Sequence, residues 1–374
     1  MSAQRARWLR VSALCAAFLA LPGTGAWAAG VGTTGADFLL IPVGPRQVAM
    51  GDQGAALSDD GFSMYYNPAG IAMLQRQEID LLYNQWVQGV SQQYLAYVYP
   101  DLAGGSLGAS LNVLRVDPFQ GYDNSGVQTS QVTAQDISPS LAYAHSVWGG
   151  RNPEDFGLAA GLSAQYIREN LESNVASGYA GNAGLLAHFP FKETYLQAGL
   201  AVQNVGSGLS YYGRRPALPE TYSLGLSAMT KRWGTPLTLS VEGRKSLDLT
   251  PSFSVGAEYW LNSLFALRVG YETANDLGPG IRAGMGLRIR DVQFDYAMSI
   301  MGDFGLTHRV GLTYRFGAPS GIDRAKRLLE KKRYAEAVLE VNRVLERDPQ
   351  NKPARELLGR LQQIMRDIEA RPAS

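Results

Sequence analysis

Arg309-Val310-Gly311-Leu312-Thr313-Tyr314-Arg315-Phe316 alternates strictly. Val310, Leu312, Tyr314 and Phe316 fall on one side of an extended chain; Arg309, Gly311, Thr313 and Arg315 fall on the other. Side chains of a β-strand point to opposite faces with a period of two, and an apolar stripe ending in an aromatic suits the lipid-facing side of an outer-membrane strand. Beyond it, residues 317–374 read as charged helices. The sequence therefore describes a membrane barrel followed by a helical tail.

Working back from that strand, apolar residues at alternate positions mark about 14 strand candidates between Gln77 and Phe316. Phe156, Leu158, Ala160, Leu162 and Ala164 alternate with Gly157, Ala159, Gly161, Ser163 and Gln165. A charged side chain on a lipid face costs about 2–4 kcal/mol at the bilayer midplane. The alternation therefore turns Glu242, Arg244, Glu258, Arg268, Glu272, Arg282, Arg288, Asp295, Arg309 and Arg315 toward the lumen. With both signs present they read as a salt-bridge network across the interior rather than a one-sign ion pathway. Joins after even-numbered strands are short, as at Arg290-Asp291, and several after odd-numbered ones are longer, as in Val116 to Ser130 and Gly206 to Pro219. Bacterial barrels have short periplasmic turns and long outer loops, and an even strand count returns the chain to its starting side. Both chain ends are thus expected in the periplasm. The closing stretch also resembles the signal read by the barrel-assembly machinery during insertion, which makes that machinery and outer-membrane lipid expected partners.

Arg5, Arg7 and Arg10 precede the apolar run Val11 to Leu21, and Ala26-Trp27-Ala28 supplies a cleavage site, so residues 1–28 read as a secretory signal peptide. The single cysteine, Cys15, lies within it, which leaves no thiol chemistry, disulfide or thiolate metal site to the mature chain. Loss of the three arginines moves the formal charge from +1 to about −2, which does not suggest nucleic acid as a partner. The 42 glycines and 19 tyrosines fit an outer-membrane barrel better than a soluble β-sandwich, which would share the alternation. His145, His188 and His308 lack metal-ligand spacing, no nucleophile elbow or phosphate loop is present, and no cofactor is called for. The reading is not that of an enzyme.

Residues 29–76 carry signals of their own. Asp37-Phe38-Leu39-Leu40-Ile41 and Gly44-Pro45-Arg46-Gln47-Val48-Ala49-Met50-Gly51 lead to Tyr65-Tyr66-Asn67-Pro68-Ala69-Gly70-Ile71-Ala72. Asn67 can cap a helix whose first residue is Pro68. In this context Asn67, Pro68, Ala69 and Gly70 resemble the N-terminal plug motif of the FadL superfamily, and more closely its PorV/PorQ branch. Val202-Gln203-Asn204-Val205-Gly206, Leu218-Pro219, Gly256-Ala257-Glu258-Tyr259, Arg268-Val269-Gly270-Tyr271, Asp295-Tyr296-Ala297 and Thr307-His308-Arg309 are further marks of that branch. The resemblance runs from about Thr33 to Gly317. It implies a 14-stranded barrel over residues 77–317 whose N-terminal segment enters the lumen as a plug. FadL-type members pass hydrophobic molecules, whereas PorV-type members act in type IX secretion, where they carry or hand over exported proteins. The helical tail departs from both.

Residues 318–374 change abruptly to Lys, Arg, Glu and Leu. Ala325, Leu328 and Leu329 begin one amphipathic helix, Tyr334, Ala337, Val338 and Val341 a second, and Leu357, Leu358 and Leu361 a third. Tyr334, Ala337, Val341, Pro349, Leu358 and Gly359 resemble the tetratricopeptide pattern, in only about one and a half repeats, so the tail is expected to pack on something else. The expected fold is an all-β transmembrane barrel with a small α-helical periplasmic C-terminal domain. The leading expectation for function is an accessory in protein export or surface assembly, binding an exported or periplasmic protein through residues 318–374. The alternative is passive passage of a hydrophobic small molecule as the lumen ligand.

Overall fold

The computed structural model describes residues 32–369 apart from 103, 150–155, 173, 192, 211–214, 232–233, 274–277, 318–320, 348 and 350. The signal peptide read at residues 1–28 and part of the linker before the tail lie outside these. Fourteen antiparallel strands follow one another round a closed barrel, β1 meeting β14. They are β1 Gln77–Gln85, β2 Val90–Leu102, β3 Gly105–Tyr122, β4 Gln128–Gly149, β5 Gly157–Leu171, β6 Asn174–Phe191 and β7 Thr194–Gly206. The circle continues through β8 Thr221–Thr230, β9 Leu237–Ser246, β10 Ser252–Trp260, β11 Phe265–Glu272, β12 Ile281–Ile289, β13 Val292–Ile300 and β14 Leu306–Phe316. Closure sets Gln77 opposite Phe316, Leu82 opposite Gly311 and Gln85 opposite His308. A closed sheet leaves no edge of unpaired backbone groups.

Each strand has one face of large exposed apolar side chains, such as Leu81, Tyr83, Leu162, Val310 and Tyr314, and one buried face rich in polar groups, such as Asp80, Ser163, Arg309 and Thr313. Strand length is uneven. β3 to β6 run 15–22 residues while β8 to β13 run 8–10, so the wall is taller on one side. The loop expected from Val116 to Ser130 is largely strand: β3 reaches Tyr122 and β4 starts at Gln128. Register shifts between Val116 and Phe119 and between Gln120 and Tyr122 break the alternation there, which hid the pairing. Pro118, lying in the first shift, is tolerated because a bulge residue does not donate to the ladder.

Among the described residues four short helical pieces precede β1: the 3-10 turn Asp37–Leu40, α1 Pro45–Ala49, α2 Ser63–Tyr66 and the 3-10 helix Pro68–Met73. They pack against the buried faces of the strands, α1 against β11 to β14 and Pro68–Met73 against β2 to β6. After β14 come α3 Gly321–Glu330, α4 Tyr334–Arg347 and α5 Lys352–Glu369. These three make their own small core of Ala325, Ala337, Val341, Ala354, Leu357 and Leu361, with Tyr334 and Leu358 half-buried at its margin. The tail thus packs first on itself, whereas the sequence led us to expect an external surface. Pro349 and Gly359 are exposed. Leu361→Asp, which places an unpaired charge in this core, is expected to melt the tail helices while the barrel stays folded. Loss of helical circular dichroism with unchanged heat-modifiable gel migration checks it.

Candidate functional site

The segment before β1 is built from local signals. Gly44 takes a left-handed φ of 73° just ahead of Pro45, whose ring fixes the first helical φ of α1. Asn67 caps Pro68–Met73: its Oδ1 accepts from the Ala69 N–H at 3.1 Å. Its Nδ2 donates to Ala55 O at 2.7 Å and to Leu185 O on β6 at 3.1 Å. Pro68, Ala69 and Gly70 are buried alongside it. One side chain therefore ends one turn, ties a second and reaches the barrel wall.

The interior has a charged half along β9 to β14 and β1. Arg46 on α1 forms a bidentate pair with Glu258, at 2.9 and 3.0 Å. Arg268, with a fully buried guanidinium, joins Glu258 at 2.7 Å and Asp295 at 2.6 Å. Gln293 bridges Asp295 to Arg288, whose guanidinium lies 4.2 Å from the centre of the Trp260 ring. Arg315 pairs with Glu78 at 2.6 Å. Glu78 and Asp80 both accept from the Gly61 N–H, at 2.9 and 3.1 Å, and Thr313 donates to Asp80.

A second group gathers around Asp52, which accepts from Tyr66 at 2.7 Å and pairs with Arg244. Glu242 binds Arg244 and accepts the Gly54 and Ala55 N–H groups at 2.9 and 2.8 Å; Arg282 pairs with Glu272. Arg309 donates to Ser299 and Thr307 and lies 4.9 Å from the Trp86 ring centre. The sequence reading placed these charges together but missed Arg46, Asp52 and Asp60, through which the segment before β1 completes the network. A run of charges inside an otherwise apolar leader was the signal that could have found them.

Asp60 is enclosed by Gln47, which donates to both its oxygens at 2.9 and 3.1 Å. Burial pushes its carboxyl up to about 7, with Asp59 and Glu78 adding to the rise and Arg46 and Gln47 opposing it. The folded state therefore holds this proton more tightly than the unfolded chain. The stability it contributes is fully present below about pH 4 and is lost as pH rises through 7. The unfolding midpoint is expected to fall between about pH 5 and about pH 8, and Asp60→Asn to flatten that slope. Denaturant titrations of both proteins across this range check it.

The other side of the interior, along β3 to β7, holds a cavity. Leu39, Met64, Tyr65 and Tyr94 form its apolar sides, and Ser110, Asn112, Ser138 and Ser140 face Gln165, Asn182, Gln203 and Asn204 across it. Its water-accessible space is about 20 Å³. A cluster of Phe38, Leu39, Leu114, Ile167, Leu209 and Leu218 lies to one side, and Phe62, Met64, Ile71 and Tyr94 belong to another. Gln203 and Asn204 are both buried although adjacent in one strand. Asn204 has φ of 60° opposite a register shift between Gly181 and Ala183 on β6, and this bulge turns both amides inward.

Residues 13–146 match the model of an uncharacterised protein family, UPF0164. The comparison with curated proteins gave no match. Among solved structures the chain is similar to a deltaS2 mutant of the TodX monoaromatic hydrocarbon channel, with TM-score 0.51 at 13% identity over 74% of this chain and 99% of that one. It is also similar to the toluene transporter TodX of Pseudomonas putida, with TM-score 0.49 at 13% identity over 74% and 99% of the two chains. A Pseudomonas aeruginosa FadL homologue gives TM-score 0.46 at 12% identity over 74% and 98%. At such identities the first of these likenesses bears on fold alone, an outer-membrane-type barrel. No helix among the described residues is long and apolar enough to cross a membrane, and strands are the spanning elements of such a fold.

Proposed function

We propose that this chain is an outer-membrane barrel closed by its own N-terminal plug, and that it serves as a PorV/PorQ-like accessory in protein export or surface assembly. The observation that carries this reading is the interior. The segment before β1 is fastened to the wall by Arg46–Glu258, Arg244–Asp52, Glu242 with the Gly54 and Ala55 N–H groups, and Asn67 with Leu185. A barrel so filled works as a scaffold rather than an open pore. Its exposed apolar belt suits membrane lipid, and β14 carries the alternation that the assembly machinery reads. β1 begins opposite the end of β14, so the plug and the tail leave the same rim, here assigned to the periplasm. The tail then offers a folded helical surface to an exported or periplasmic protein.

In-cell crosslinking with mass spectrometry, comparing full-length protein with a version ending at Gly317, tests this. Exported or outer-membrane proteins captured only with the tail present support it. Unchanged surface-protein content after tail deletion, with no tail-dependent partner, overturns it.

A second reading, passage of a hydrophobic small molecule, rests on the two apolar clusters within the barrel and on the likeness in fold to a monoaromatic hydrocarbon channel. A lipid-like ligand retained by the purified barrel would favour it. A deletion strain with normal uptake of such compounds would sink it.

A further inference from the structure

We propose that the cavity between β3 and β7 is a binding site for a small uncharged hydroxyl-rich molecule, a polyol or short sugar, and that Leu39 covers it. This goes beyond the export role and does not depend on it. Asn112 and Ser138 stand directly opposite each other on β3 and β4, and each is over nine-tenths buried. Asn112 Oδ1 accepts from Gln92 at 3.1 Å, but Asn112 Nδ2 and Ser138 Oγ have no partner among the described residues. A buried polar group left unmet is unfavourable, so a partner for these two is favoured. An amide donor beside a hydroxyl, which can donate or accept, suits an alcohol oxygen, which accepts from the amide and exchanges a hydrogen bond with the hydroxyl in either direction.

Charge and shape narrow the class. No acidic, basic or histidine side chain lines the cavity. An anion or a cation entering it would leave water without a countercharge. An apolar molecule would leave the amide and hydroxyl groups unmet. The opposite wall is held ready: Gln165 donates to Asn204 Oδ1 at 2.8 Å, the Asn204 N–H donates to Asn182 Oδ1 at 2.7 Å, and Asn204 Nδ2 donates to Pro219 O at 3.2 Å. The left-handed φ of Asn204, a conformation that Asn tolerates, turns its amide inward at the bulge.

The closed space admits one or two water molecules, so a polyol needs the cover to move. That cover is a single 3-10 turn. Leu39 O accepts from Tyr65 at 2.7 Å, and Ala36 just before the turn has φ of 62°. Gln92 also donates to Ile41 O and Thr34 to Asp37, and Phe38 and Leu39 pack into an apolar cluster; the turn makes none of the buried ion pairs that fasten α1.

Equilibrium dialysis of the full-length protein in detergent against radiolabelled xylitol, with radiolabelled 1-pentanol as the apolar comparison, tests the proposal. Saturable one-to-one xylitol binding is expected, with pentanol bound more weakly. Ser138→Ala removes a hydroxyl that no protein group uses, so it is expected to fold as the parent and lose roughly tenfold in affinity, about 1.4 kcal/mol. Leu39→Ala, which thins the cover, is expected to bind at least as tightly as the parent. Xylitol retained by neither the parent nor Leu39→Ala would show that the cavity holds water alone and would overturn the proposal. So would unchanged affinity in Ser138→Ala, or a preference for pentanol.

Discussion

Gly270→Ala is expected to drive α1 out of its seat. A Cβ at Gly270, on the buried face of β11, would overlap the Gly51 amide and the Met50 carbonyl carbon. Those are backbone atoms at the end of α1, not the movable end of a side chain. Gly199 on β7 stands in the same relation to the Ala55 carbonyl, on the far side of the interior. Overpacking against movable side chains costs about 1–3 kcal/mol, and backbone yields less readily, so each substitution should sit at or above the top of that range. Trypsin cleavage after Arg46, together with the fraction running as folded barrel on unheated gels, measures the effect. Gly243→Ala is the control: its Cβ would meet only the edge of the Phe253 ring at 3.4 Å, and a change within about 0.5 kcal/mol is expected. Equal behaviour of the three variants would mean that the segment does not bear on the wall.

Arg268→Met should be as damaging for an electrostatic reason. Arg268 is fully buried and joins Glu258 to Asp295, so its loss leaves the Asp295 charge with only the neutral Gln293 amide and leaves Glu258 to Arg46 alone. Breaking a buried pair by removing one partner costs about 3–5 kcal/mol, because an uncompensated charge stays in a dry site. Neutralising the carboxyls as well, in Arg268→Met with Glu258→Gln and Asp295→Asn, should recover most of that loss. Urea midpoints of the folded barrel in detergent compare the variants. A triple variant no better than the single would show that Arg268 acts through packing rather than charge.

Both predictions rest on contacts that the chain's local pattern did not display. Glycines on the inward face of a strand were legible as alternation, as at Gly161 between Ala159 and Ser163. That a glycine can mark close approach of another backbone is a general rule, yet which backbone approaches Gly270 depends on a segment 219 positions earlier in the chain. Arg46 and Glu258 are likewise 212 residues apart. The Val202-Gln203-Asn204-Val205-Gly206 stretch stood out as a family-like mark, but strict alternation would have sent Asn204 outward, and only the bulge opposite it turns it in.

The sequence by itself determined the elements. A two-residue period with an aromatic end makes Val310 to Phe316 a strand of an outer-membrane-type barrel, an Asn-Pro step starts the helix at Pro68, and a 3.6-residue period builds the tail's core from Ala337, Val341, Leu357 and Leu361. These signals are local, because each depends only on neighbouring residues in one chain segment. Tertiary structure decided the uneven wall, the gathering of buried ion pairs along β9 to β14 and β1, and the cavity beneath Leu39. Those follow from which strands closure sets face to face, and closure brings together side chains that no period in the chain connects.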